Sequence, residues 1–254
     1  MGTAESVSID TGDGRLLEVL VSGPPDGTVL VFHTGTPVGL VPLPAGLDLA
    51  PMGIRTVLYA RPGYGRSTPQ AGRTVADAAG DVAAILDGLG AGKFLNLGWS
   101  GGGPYALACD VLLAGRCPAT AVIAGPAPYT EAEPSSPVRA WYEADEDNQL
   151  ALAGDIEGFR RAVGAFVGQL ANAKAENVAA EATSDADRRF YSQGYAEWVA
   201  SFVRAGGVSG SHGAADDCLA TFRDWGFPLA SLCRSCSGTG EKVAIRTRHG
   251  LPPL

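Results

Sequence analysis

The sequence predicts an α/β protein, a parallel sheet covered by helices and interrupted by an all-helical insert. Three observations carry this. Short apolar runs rich in β-branched residues alternate with amphipathic segments through residues 28–125, the pattern of strands joined by crossover helices. From about 130 to 225 the strand-like runs stop and helical spacing alone remains. The chain has 254 residues, 46% hydrophobic and 18% charged, enough for one sizeable core and too apolar to stay disordered.

Taken in order, TVLVFH (28–33) and RTVLYA (55–60) are strands buried on both faces. TVADAAGDVAAILDGLG (74–90) is a helix: Thr74 and Asp77 supply a capping-box-like start, Val75, Val82, Ile85, Leu86 and Leu89 make one stripe, and Gly90 ends it. KFLNLGWS (93–100) is the next strand, and PYALACDVLLAG (104–115) is a helix with proline in its first turn. ATAVIAG (119–125) is a further buried strand. In the insert, Ile156, Phe159, Val163, Val167 and Leu170 recur at helical spacing, as do Phe190, Trp198, Phe202 and Val203. These stripes read as the interior of a lid. The expected organisation is a core at 1–130, a helical lid at 131–225 and the remainder of the core at 226–254.

Composition narrows the function classes. Net charge is −8, and residues 131–225 carry 16 acidic against 8 basic side chains. With no basic stripe and no interleaved aromatics, a nucleic-acid partner is not expected. No apolar run approaches the ~18 residues of a membrane span. The N-terminus lacks a secretory pattern; Gly2 and Ser6 fit the myristoylation pattern, but nothing basic or lipid-seeking follows. Five cysteines, an odd number without a leader, predict free thiols and a cytoplasmic protein. Cys233 and Cys236 form a lone C-x-x-C with no second ligand pair, so neither a metal nor a cofactor is expected.

The chemistry gathers at Gly98-Trp99-Ser100-Gly101-Gly102, a G-x-S-x-G between an apolar strand and a proline-started helix. A serine hydroxyl is a weak nucleophile and must be aimed. A sharp strand-to-helix turn exposes its Oγ above the sheet, and the crowded backbone of that turn demands glycine beside it. The helix N-terminus adds a field that favours negative charge. With this turn the chain resembles the α/β-hydrolase family over residues 15–130, and more loosely through the insert to 216–227. FHTGTPVG (32–39) is similar to that family's His-Gly loop, and YARPGYGRST (59–68) to the loop that packs beside the nucleophile turn. The resemblance implies that Ser100 is the nucleophile and that the backbone N–H groups of Gly101 and Thr36 form the oxyanion hole. Thr34 takes the place of Thr36 if the loop register slips. It also implies that His33 and Trp99 shape the pocket, His33 without acting as the base.

The resemblance further implies an acid and then a histidine late in the chain. Gly238 to Val243 is similar to the family's acid-bearing turn and places the triad carboxylate at Glu241. After it the family continues with a helix, a strand and a histidine loop, whereas this chain ends at Leu254. The basic, cysteine-bearing tail therefore predicts a truncated or frame-shifted C-terminus and a sheet lacking its last strand. That in turn predicts loose packing after about residue 230, or a homodimer that covers the exposed edge. The base is left open between His212, His249 and neither. Two functions follow: a serine hydrolase of a small ester, amide or related acyl compound, or a catalytically impaired relative that binds a small ligand under its lid.

Overall fold

The computed structural model describes residues 4–130, 132 and 134–232, together with the backbone of a short strand at 244–246. The strands are β1 (Glu5–Asp10), β2 (Leu16–Ser22), β3 (Thr28–His33), β4 (Ile54–Tyr59), β5 (Leu95–Trp99), β6 (Ala119–Ile123) and β7 (Ala244–Arg246). Two helices, α1 (Asp77–Gly88) and α2 (Gly103–Leu112), interleave with the later strands. The described strands form one sheet in the order β1-β2-β4-β3-β5-β6-β7. The β1–β2 and β2–β4 pairs are antiparallel, and the rest are parallel. The four predicted strands thus occupy the middle of the sheet, and no eighth strand lies among the described residues.

The apolar runs form strands because both faces are covered. Val29, Val31, Val57 and Tyr59 are buried in one cluster with Val82, Ile85 and Leu86 of α1 and Cys109 of α2. The start of α1 differs by a few residues from the sequence expectation. Thr74 and Asp77 do pair, the Thr74 backbone N–H donating to Asp77 Oδ2 at 2.6 Å, but regular helix begins only at Asp77. The pair closes the turn leading into the helix rather than its first turn.

Beyond β6 the described residues are helices and turns: α3 (Pro137–Glu143), α4 (Glu146–Leu152), α5 (Ile156–Leu170), α6 (Ala175–Ala180), α7 (Asp185–Phe190), α8 (Ala196–Gly206) and α9 (His212–Thr221). No helix among the described residues is long and apolar enough to cross a membrane. The aromatic stripes point inward: Phe159, Val163, Val167 and Phe202 are buried. The last helix behaves differently from the others. Ala214, Ala215 and Leu219 of α9 pack with α5 and with Ala60 and Tyr64 of the core, while Ala220, Trp225 and Phe227 pack with α2 and β6. The end of the expected lid segment is therefore built into the core.

The sheet order also locates a crevice. From β3 the chain moves outward to β4 and then crosses to β5 on the other side of β3. Loops leaving β3 and β5 diverge there, and ligands of open α/β sheets bind at such a switch point, at the carboxyl ends of the strands.

Candidate active site

Both chain segments at the switch point are the ones singled out by sequence. His33, the last residue of β3, is in register with Gly98 of β5, so residues 34–36 and Ser100 emerge side by side. Ser100 directly follows β5 and opens a single 3-10 turn that runs into α2, with φ of +52°. A non-glycine residue in the left-handed region is strained, and such residues persist where the surroundings over-determine them. Ala124, after neighbouring β6, has the same φ.

The glycines around Ser100 explain how the turn fits. A methyl group at Gly98 would lie 2.8 Å from Gly103 Cα and 2.9 Å from Gly102 O. One at Gly102 would run into His33 O and lie 2.6 Å from Thr34 O. One at Gly101 would meet Thr36 Oγ1 at 2.6 Å and Thr36 N at 3.1 Å, and one at Gly35 would touch Ser100 Cβ at 3.3 Å. The two loops are thus in backbone contact, and Thr36, rather than Thr34, has its N–H beside Gly101. Among the described residues the Thr36 N–H has no acceptor. The Gly101 N–H belongs to the first turn, where no intrahelical acceptor is available. Ser100, Gly101 and Thr36 are half-buried, open to a reactant.

His33 lies beneath this surface. It is fully buried, its Nδ1 is 3.1 Å from the Tyr59 hydroxyl, and its ring meets Tyr59 edge-on. Burial, reinforced by the charge of Arg61, pushes its pKa down to about 3, so it is a neutral structural imidazole. Trp99 stacks on Phe202 of α8, which stacks in turn on Trp198. The Phe202 carbonyl accepts from Gly39 N at 3.0 Å, and Trp198 Nε1 donates to Pro42 O at 3.0 Å, so α8 roofs the loop after β3. His212 is exposed at the first position of α9. Neither described histidine bonds to Ser100. Glu241, His249, Cys233 and Cys236 lie outside the described residues. Among the described residues no group of His, Cys, Asp and Glu is placed to hold a metal ion, and Cys109, Cys117 and Cys218 are free thiols.

A cluster that sequence reading did not find stands directly behind the loop. Asp217 of α9 is buried and accepts from Arg61 Nη2 (2.6 Å), Arg61 Nε (3.0 Å), Arg73 Nη2 (2.7 Å), and the hydroxyls of Tyr64, Tyr105 and Thr36 (2.8 Å each). Burial alone would raise the Asp217 carboxyl; the Arg61 and Arg73 charges and the hydrogen bonds outweigh it and hold the group well below the ordinary carboxylate range. Burying these ions costs several kcal/mol apiece, offset only because every oxygen of the carboxylate is multiply bonded. Arg61 also donates to Thr34 O (2.6 Å), Gly35 O (2.8 Å) and Thr36 Oγ1 (3.0 Å). The sole local signal was an acidic pair, Asp216-Asp217, inside an otherwise apolar helical stretch.

Comparison with known proteins agrees with this fold. No curated protein matches the sequence. Among solved structures the chain is similar to a carboxylesterase from the thaumarchaeon Nitrososphaera gargenis (19% identity, 94% of this chain and 78% of that one, TM-score 0.59). It is also similar to a 2-hydroxy-6-oxo-6-phenylhexa-2,4-dienoate hydrolase from Rhodococcus sp. strain RHA1 (15% identity, 96% and 80%, TM-score 0.55). A thermophilic esterase from Thermogutta terrifontis matches at 18% identity over 87% and 73%, with TM-score 0.53. At such identities the likeness is one of fold. Two other matched structures are spanned over only 64% and 46% of their own chains. A family profile, the alpha/beta hydrolase fold, matches residues 27–220. With that match over most of its length, and a serine turn at the sheet's switch point, this chain belongs to the alpha/beta hydrolase fold family.

Proposed function

We propose that the chain is a serine hydrolase of a small ester, amide or related acyl compound. Ser100 attacks the carbonyl carbon, and the N–H groups of Gly101 and Thr36 hold the oxygen that becomes negative. The tetrahedral intermediate then expels the leaving group, which departs with the proton given up by the Ser100 hydroxyl, and water hydrolyses the acyl-enzyme to the free acid, returning a proton to Ser100. One observation supports this above the others: a half-buried serine at φ +52° sits at the switch point, its neighbour Gly101 against Thr36 N. Carboxylesterases and an esterase among the structural neighbours fit an ester substrate. Glu241 is the carboxylate that would orient the base. A fluorophosphonate should label the protein, with the adduct mapped to the Ser100 peptide and absent from Ser100→Ala. A parent that stays unlabelled under conditions that label a control esterase defeats this reading.

The second reading, a catalytically impaired relative that binds a ligand under α8, is favoured by the state of the described histidines. His33 is sealed and His212 is exposed, and neither touches the nucleophile. One activated phenyl ester and four proteins separate the two: the parent, Ser100→Ala, His212→Ala and His249→Ala. A fast parent silenced by one histidine change identifies the base. Equal low rates in all four mean that the hydrolase chemistry of this chain is vestigial.

A further inference from the structure

We propose that Arg61 and Asp217 are positioning residues for the oxyanion site. Arg61 grips the carbonyl end of the Gly35–Thr36 peptide so that its N–H end is aimed at Ser100, and Asp217 holds Arg61 and the Thr36 side chain in register. This rests on the reading of Ser100 as nucleophile and Thr36 as oxyanion donor.

The argument begins with one peptide unit. The carbonyl of Gly35 and the N–H of Thr36 belong to the same rigid plane, so whatever fixes one fixes the other. Arg61 Nη2 donates to that carbonyl at 2.8 Å, and Nη1 donates to the preceding one, Thr34 O, at 2.6 Å. Two donors of one planar guanidinium thus hold two successive carbonyls, a geometry that lysine cannot reproduce. A charge-assisted bond at the carbonyl also polarises the amide, making its N–H a stronger donor. The third point of attachment is the Thr36 hydroxyl, which donates to Asp217 Oδ2 at 2.8 Å. Rotation of the peptide away from Ser100 would break the Gly35 O bond and strain the bonds on either side of it.

Electrostatics acts in the same direction. Arg61 and Arg73 bring two positive charges to one carboxylate, and the hydroxyls of Tyr64, Tyr105 and Thr36 are neutral donors. The cluster is therefore net positive, buried, and placed behind the loop whose front faces the developing oxyanion. A simple clamp for α9 is already supplied by Arg73, which also donates to Gly213 O at 3.1 Å. Such a clamp would not need the Arg61 bonds to Thr34 O and Gly35 O.

The test is the rate of Ser100 phosphonylation by an alkyl fluorophosphonate on the full chain, resolved into kinact and KI. Each assay is run on a variant shown to be folded by circular dichroism at that temperature. Loss of a whole oxyanion donor lowers rates ~10²–10³-fold. On that scale Asp217→Asn should lower kinact about 100-fold, Arg61→Lys roughly 10- to 30-fold and Thr36→Val about 3- to 10-fold, with KI within about twofold throughout. Arg160→Gln removes the separate Arg160–Asp216 pair that joins α5 to α9, and should leave both constants unchanged. If Asp217→Asn does not fold, Thr36→Val, nearly isosteric and leaving both guanidinium ions paired, decides. Arg61→Lys and Thr36→Val reacting with the parental kinact would overturn the proposal and leave the cluster a helix clamp. A parent unlabelled at Ser100 would defeat the hydrolase reading first, and this proposal with it.

Discussion

Acid should unfold this protein through His33 well before the bulk of its carboxylates titrate. In the folded chain the imidazole is fully buried and takes up a proton only near pH 3; in the unfolded chain it does so near the ordinary value of ~6.5. Between those values the unfolded state binds the proton and the folded state does not, so stability rises with pH across the window and is lost as pH falls through it. From about pH 7.5 to about pH 5 the integrated loss is ~2 kcal/mol. The assay is urea unfolding of the parent and of His33→Gln at a series of pH values. Glutamine retains a polar partner for the Tyr59 hydroxyl but cannot titrate. The variant should start less stable and lose ~2 kcal/mol less than the parent over the same pH range. Asp81 and Asp110, both raised by burial, act in the opposite sense, but they act equally in both proteins and cancel in the difference. A His33→Gln variant as pH-dependent as the parent would refute the reasoning.

Further expectations follow from the same contacts. Gly102→Ala should destabilise by ~3 kcal/mol or more and prevent Ser100 labelling, because its methyl group meets the backbone oxygens of His33 and Thr34. Gly80→Ala, exposed on α1 with nothing within 4 Å, should stabilise by ~1 kcal/mol by urea unfolding. Ser100→Gly should melt higher than Ser100→Ala, since glycine alone relieves the positive φ, while neither reacts with fluorophosphonate. Phe202→Ala, which empties a fully buried position between Trp99 and Trp198, should cost ~3–5 kcal/mol by urea unfolding.

What could be read in the sequence was what is local. The central strands were visible because burial on both faces leaves unbroken apolar runs, and the run at 28–33 coincides with β3. The serine turn was visible because strand, glycines and helix lie within twenty residues. β1 and β2 escaped notice: β1 is an edge strand that alternates exposed Glu5, Ser6, Ser8 and Asp10 with half-buried Val7 and Ile9. A period-two test on ESVSID would have found it. The Asp217 cluster was invisible for a different reason. No local pattern marks Arg61 or Arg73; the fold joins both to one carboxylate that lies 156 residues beyond Arg61. Glu241, assigned from a turn in the tail, lies outside the described residues.

The span of those bonds has an evolutionary corollary. Asp217 reaches back 181 residues to Thr36 and 153 to Tyr64, so nearly everything from β4 to α8 is a loop closed by one knot. Closing a loop twice as long adds only ~0.6 kcal/mol of entropy. The stretch between β6 and His212 therefore changes length at little entropic cost while the knot stays tied, provided that the packing of Phe202 on Trp99 and its bond to Gly39 are kept. Substrate preference can drift there without disturbing the reacting centre. For grafting, the useful seams are the turn after β6 and the residues just before His212: a transplanted insert should end there and leave α9 with its host.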